Sequence, residues 1–205
     1  MKKILHVTSS PRGIDSTSIQ LGHHVVEKLQ EQYPGSVVTI NHTAATNYEH
    51  MPAAFPIAFK MPAEQHTPEL IKALEPSDAA VRELQDAEII VISFPVYNFN
   101  LPSSLKAWLD HVVRPSKTIS YKTGKPEGLL KNKKVYLAIS SSGVYTDGPT
   151  KSWDFGEPYL RFILNFMGVT DITTFRIEGL GISGFLETAV QKGLEIVDNE
   201  LSVAV

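Results

Sequence analysis

Five short stretches of the chain are almost wholly apolar: 3–8 (KILHVT), 37–41, 88–94 (EIIVISF), 134–140 (KVYLAIS) and 172–177. Apolar runs without polar alternation suit strands whose two faces are both covered. Between them the period changes. Gly22, Val25, Val26, Leu29 and Tyr33 recur at helical spacing and predict a helix over 16–33, opened by the capping residues Asp15, Ser16 and Ser18 and ended by Pro34-Gly35. Thr67-Pro68-Glu69 reads as an N-cap with proline in the first helical position, and Ser77 as the cap of a further helix through Leu84. Further helices are predicted over about 102–113, 150–167 and 185–201.

Strands and helices alternate throughout, which predicts an α/β architecture with an open, doubly wound parallel sheet. Five strands fit the flavodoxin-like order 2-1-3-4-5. The 205 residues are read as one domain spanning 1–205. In such a sheet ligands bind beyond the carboxyl ends of the strands, where the order reverses between the first and third. One segment stands apart. Residues 43–66 are broken by Pro52, Pro56 and Pro62 yet carry Met51, Phe55, Ile57, Phe59 and Met61, so 51–61 is expected to pack on something and reads as an interface.

Composition narrows the possibilities. The net charge of −3 gives no basic excess for nucleic acid or an anionic membrane, and the absence of cysteine removes disulfides, thiol nucleophiles and thiolate metal sites. No run approaches the roughly 20 apolar residues of a membrane span. The apolar run after Met1 is shorter than a signal peptide requires. A cytoplasmic protein is expected. The histidines make no metal pair: His23 and His24 are adjacent and would point apart on a helix, so no metal site is expected.

Three loops fall where the fold gathers its strand ends. Residues 9–18 (SSPRGIDSTS) hold hydroxyls at Ser9, Ser10, Ser16, Thr17 and Ser18 just before a helix start, a setting that favours a phosphate. A polar turn with good caps is the alternative. No G-x-x-x-x-G-K-[ST] loop is present. Residues 94–100 (FPVYNFN) put Tyr97 and Phe99 at a sheet mouth with Asn98 between them. They could wall a planar ring, or pack into the core or a subunit interface. Residues 140–149 (SSSGVYTDGP) bring small side chains that permit close backbone approach. A phosphate loop beside an aromatic-amide loop suggests FMN. Gly179-Leu180-Gly181-Ile182-Ser183-Gly184 is a literal G-x-G-x-x-G, but no later strand follows to carry the ribose-binding acid, so it reads as a glycine-rich turn.

These residues resemble the FMN-dependent NADH-azoreductases, which are also NAD(P)H-quinone reductases. The most specific piece is P-V-Y-N-F-N with the following L-K and Asp110, supported by Ser10, Ser16 and Ser18, by P-E-G-L at 126–129 and by D-G-P at 147–149. The resemblance implies a homodimer with one FMN per subunit and sites at the subunit interface. Ser10, Ser16, Thr17 and Ser18 would bind the FMN phosphate. Val96, Tyr97, Asn98 and Phe99 would line its ring, and Ser140, Ser141, Ser142 and Gly143 would meet the other edge. Tyr121 and Phe162 would wall the substrate pocket. Several relatives have an arginine and a second glycine where Ser141 and Ser142 stand. The implied activity is two-electron, ping-pong hydride transfer from NADH or NADPH through flavin N5 to quinones and azo compounds, with no obligatory catalytic side chain. A flavodoxin-type electron carrier is the alternative, opposed by the modest net charge of −3 and the apolar 51–61 segment. A receiver domain of similar fold would need acids at 8–10 and at Phe94, and lacks them.

Overall fold

The computed structural model describes residues 1–46 and 48–202. Its elements in chain order are β1 (Lys3–Thr8), α1 (Thr17–Gln32), β2 (Val37–His42), the single helical turns α2 (Thr43–Thr46) and α3 (Phe55–Ala58), α4 (Pro68–Asp86), β3 (Ile89–Pro95), α5 (Ser103–Val112), the short antiparallel pair β4 (Ile119–Ser120) and β5 (Glu127–Gly128), β6 (Lys134–Ser140), α6 (Gly156–Phe166), β7 (Asp171–Ile177) and α7 (Leu186–Glu200). The main sheet is parallel in the order β2-β1-β3-β6-β7, the flavodoxin-like order expected from the sequence.

Side chains alternate across this sheet, and its central strands β1, β3 and β6 are buried on both faces. Leu5, Val7, Ile90, Ile92, Leu137 and Ile139 face a layer from α4, α5 and α6 that includes Leu84, Trp108 and Leu160. Ile4, Ile89, Val91, Tyr136 and Ala138 face α1 and α7 through Val25, Leu29 and Val197. That two-sided burial is why β1, β3 and β6 read as unbroken apolar runs, while the edge strands β2 and β7 stay largely exposed or half-buried. It also pins the register, because a one-residue slip would exchange every side chain between two differently shaped layers. The pairings Thr8↔Ser93, Pro95↔Ser140 and Ser140↔Ile177 bring the carboxyl ends of β1, β3, β6 and β7 to one rim.

Helix α1 crosses this sheet closely because Gly22 has no side chain. A β-carbon there would lie 1.9 Å from Ser93 Oγ and 2.6 Å from His6 Nε2. Those two buried groups share a hydrogen bond of 2.7 Å beneath the helix.

Two local expectations are corrected. The two helices expected after Thr67 are one 19-residue helix with Pro76 inside it. Ser77 does not cap a new helix: its hydroxyl donates to the His111 carbonyl at 2.7 Å. Burial of Leu74, Ala80, Val81 and Leu84 on one face outweighs the backbone bond that Pro76 cannot make. The apolar segment 51–61 packs in part on the body of the molecule, as expected, and leaves Ile57 65% exposed. Phe55 and Ala58 are buried with Leu74, and the Arg114 guanidinium lies 4.4 Å over the Phe59 ring. The helix expected from 150 starts at Gly156, after a tight turn at Lys151–Trp153, because Asp154 Oδ1 accepts from the Gly156 and Glu157 amides at 2.9 and 3.1 Å. Among the described residues no helix is long and apolar enough to cross a membrane, and no cluster of His, Asp or Glu could hold a metal ion.

Candidate active site

The loop after β1 is tied to the end of β3: the Ser9 amide and hydroxyl both donate to the Ser93 carbonyl at 3.1 Å. Ser104 of α5 donates to the Ser9 carbonyl at 3.2 Å. Ser10 is buried, and its hydroxyl accepts from the Arg12 amide at 3.3 Å. Ser16 is the N-cap of α1 but makes no capping bond. Its hydroxyl pairs instead with that of Ser18 at 3.1 Å. The helix ladder opens with Gln20 N donating to Ser16 O at 2.9 Å. The Thr17, Ser18 and Ile19 amides therefore find no acceptor among the described residues. Free amides at the positive end of a helix, rimmed by hydroxyls, suit an anion.

The loop after β3 is a tight two-residue turn. Tyr97 and Asn100 exchange amide-to-carbonyl bonds of 3.0 Å in both directions. Asn98 and Phe99 between them have φ of +48° and +67°. Asparagine tolerates this left-handed backbone; phenylalanine rarely adopts it, and strain of about 1–3 kcal/mol is held only where the surroundings impose it. The result is that Tyr97 and Phe99 remain 41% and 44% exposed, so the core does not absorb them. The Asn98 and Phe99 amides donate to nothing among the described residues. Trp153 and Tyr145 stand edge-on to Phe99 at 5.7 and 6.2 Å between ring centres, and the Phe155 amide donates to the Phe99 carbonyl at 3.0 Å. On the other side a cavity of about 580 Å³ is lined by Tyr97, Asn98, Asn100, Pro102, Lys106 and Tyr159.

The loop after β6 joins the same rim. Val96 N donates to Ser140 O at 2.8 Å, and Ser141 Oγ donates to Gly143 O at 2.8 Å. Ser140 and Ser141 are buried and Ser142 is exposed. The glycine-rich stretch 179–184 lies behind this loop as a brace. Its Gly179, Leu180 and Gly181 amides donate to Gly143, Ser141 and Ser142 carbonyls at 3.0–3.1 Å. A β-carbon on Gly181 would press on Ser142 at 3.0 Å.

Thus Ser10, Ser16–Ser18, Val96–Phe99 and Ser140–Gly143 gather at one rim through backbone bonds between their strands. Tyr121 and Phe162 do not join them. Both are exposed, Phe162 stacks on Phe166 at 6.3 Å, and among the described residues no hydrogen bond or ring contact links either side chain to the three loops. Sequence reasoning missed Tyr145 and Trp153. Trp153 was hidden inside an expected helix, and its three-residue separation from Gly156 gave no sign that it belongs to the loop.

The chemistry of these groups fits FMN. Unpaired helix-start amides and hydroxyls match a phosphate ester. Exposed flat side chains with free amides beside them match a planar ring with acceptor atoms along one edge.

Comparisons with known proteins give the family and the fold. The family described as having a flavodoxin-like fold matches residues 2–201. An FMN-dependent NADH:quinone oxidoreductase of Beijerinckia indica is 40% identical over 197 residues, covering 96% of this chain and 98% of that protein. One from Rhizobium etli is 45% identical over 180 residues, covering 88% of each. Among solved structures, an azoreductase from Bacillus anthracis superposes with a TM-score of 0.89 at 24% identity, over 98% of this chain and 99% of that one. An FMN-dependent NADH-azoreductase from the same species, in complex with FMN, gives 0.83 at 23% identity, over 98% and 100%. At these identities the structural likeness speaks for the fold.

Proposed function

The chain belongs to the FMN-dependent NADH:quinone oxidoreductases of flavodoxin-like fold, and from that premise we propose that it binds FMN at the strand-end rim and passes electrons from NADH to flat aromatic acceptors, quinones first and azo compounds second. The observation that carries this reading is the left-handed Tyr97–Asn100 turn. It presents two exposed aromatic side chains and two unpaired amides beside the uncapped start of α1.

In this reading Ser10, Ser16, Thr17 and Ser18 with the first α1 amides hold the phosphate. Val96, Tyr97, Asn98 and Phe99 line one side of the ring, and Ser140, Ser141, Ser142 and Gly143 meet its other edge. Bound FMN supplies hydride acceptance and donation. The protein's part is orientation and exclusion of water. The Asn98 and Phe99 amides give hydrogen bonds that bulk water can no longer provide, and a buried acceptor without a donor would cost about 1–3 kcal/mol. Tyr97 and Phe99 offer flat surfaces where NADH and then the acceptor can stack in turn. No side chain of the rim has to act as an obligatory acid or base.

We also propose that the chain works as a homodimer, with Tyr121 and Phe162 contributed to the acceptor slot. The support is their exposure, shared by Trp153 and Phe155, which leaves large aromatic surface outside the three loops. NADH as donor fits a cytoplasmic location. Purified protein should be yellow and release FMN identified by mass. It should oxidise NADH in the presence of a benzoquinone, and sediment at about twice the chain mass of 22.6 kDa. Purification with FAD, or FMN-loaded protein inert toward NADH and quinone, would overturn the reading. A monomer of full activity would overturn the dimer alone.

A further inference from the structure

Three carboxylates converge on one guanidinium beside the rim. Arg176, on β7, bonds through Nη2 to Asp154 and Glu157, through Nε to Glu157 Oε2 at 3.0 Å and through Nη1 to Glu178 Oε1 at 3.1 Å. The side chains of Arg176, Asp154, Glu157 and Glu178 are only 9%, 8%, 15% and 11% exposed. Two of the carboxylates anchor the ends of the loop between β6 and α6, and Glu157 ties the start of α6 to β7. Glu178 accepts from the Tyr145 amide at 2.9 Å and from the Thr146 hydroxyl at 2.5 Å. Asp154 caps α6 through the Gly156 and Glu157 amides. Between those anchors lie Tyr145 and Trp153, the two rings that stand against Phe99.

We propose that Arg176 is a positioning residue for the acceptor: it draws the three carboxylates together, fixes the Tyr145–Trp153 wall against Phe99, and so sets affinity for the flat acceptor. The proposal rests on the functional reading above, in which that slot takes such an acceptor. The loop contains no strand and only a three-residue helical turn, so its shape depends on side-chain anchors. Without the guanidinium, Asp154, Glu157 and Glu178 would repel one another in a place with little water to screen them. Arg161 bonds Glu157 Oε1 at 2.7 Å but pairs with neither Asp154 nor Glu178 among the described residues, so it cannot replace Arg176. Burial alone would raise the Glu157 carboxyl, yet bonds from Thr174, Arg176 and Arg161 hold it below the usual carboxylate range.

The experiment compares FMN-loaded parent, Arg176→Met, Arg176→Lys and Glu178→Gln. It measures FMN content, steady-state kinetics with a benzoquinone at saturating NADH, and acrylamide quenching of tryptophan. Trp108 is fully buried, so quenching reports on Trp153. Arg176→Met should keep parental FMN content, raise the quinone KM about tenfold with kcat changed far less, and make Trp153 more quenchable. Arg176→Lys should restore part of both readouts. Unchanged KM and quenching in Arg176→Met, in a parent that binds FMN and turns over, would overturn this proposal alone. A parent without FMN or turnover would sink the functional reading instead. If Arg176→Met does not fold, unchanged KM in both Arg176→Lys and Glu178→Gln overturns the proposal.

Discussion

Two single positions decide whether the rim is a ligand site. Asn98 has a φ of +48° and is the first of two successive left-handed residues. Proline, locked near −65°, cannot take that place, whereas glycine takes it freely. Asn98→Pro should therefore weaken FMN binding at least about tenfold, with Asn98→Gly near parental and Asn98→Ala between them. Fluorescence titration of FMN measures all three, and a parental affinity for Asn98→Pro would refute the site. Ser16 tests the other end. An aspartate there is a good helix cap and suits the helix start, adding roughly 0.3–1 kcal/mol of stability. It would also face the bound phosphate, and like charges at close range cost on the order of a few kcal/mol. Ser16→Asp should then raise the Tm of the flavin-free protein slightly while weakening FMN at least about tenfold. Unchanged FMN affinity would move the phosphate elsewhere.

At the scale of elements, the approach of α1 to the sheet is set by a missing side chain. Alanine in place of Gly22 would gain roughly 1 kcal/mol in helix propensity. It would also push a β-carbon into Ser93 Oγ at 1.9 Å and His6 Nε2 at 2.6 Å. Forcing α1 outward strains a packed layer by about 1–3 kcal/mol and separates a buried polar pair besides. The clash wins, and Gly22→Ala should lower the urea midpoint of the flavin-free protein. A raised midpoint would mean that α1 has room to shift. The effect should reach the site, because Ser93 also receives the Ser9 amide and hydroxyl that seat the loop before α1.

For the whole molecule, the buried His6 links stability to pH. Burial first, then the neighbouring His23 and His42, lower it from 6.5 to about 3. Its folded value is depressed, so between pH 6.5 and about 3 the unfolded chain takes up a proton that the folded chain refuses. Stability is fully present above pH 6.5 and falls as the pH drops, by up to about 1.4 kcal/mol per unit for this one group. Between pH 6.5 and 5 the parent should lose roughly 2 kcal/mol more than His6→Gln, which keeps a polar partner for Ser93. Urea unfolding at the two pH values measures the difference, and parallel profiles would show that His6 does not carry it. Glu157, held below the usual carboxylate range by Thr174, Arg176 and Arg161 against the opposing effect of burial, adds a further loss only at lower pH, as it protonates.

By itself the sequence determined the sheet, because the central strands, buried on both faces, leave unbroken apolar runs that are visible without knowing their neighbours, and the edge strands β2 and β7 follow from the alternation with helices. It also determined what chemistry stands at each strand end, since loop composition is local: hydroxyls at 9–18, aromatics and amides at 94–100, small residues at 140–143. Only the tertiary structure decided the features that depend on distant partners. Pro76 stays inside a helix because α4 is buried on one face, and Phe55 turns inward because Leu74 meets it. Phe99 is held left-handed by a closed turn and by a bond from Phe155, a residue far along the chain. Arg176 meets Asp154, Glu157 and Glu178 only once β7, α6 and the loop after β6 have come together. A charged residue in a strand carries no local sign of which carboxylates it will neutralise, since that pairing is made by folding rather than by spacing.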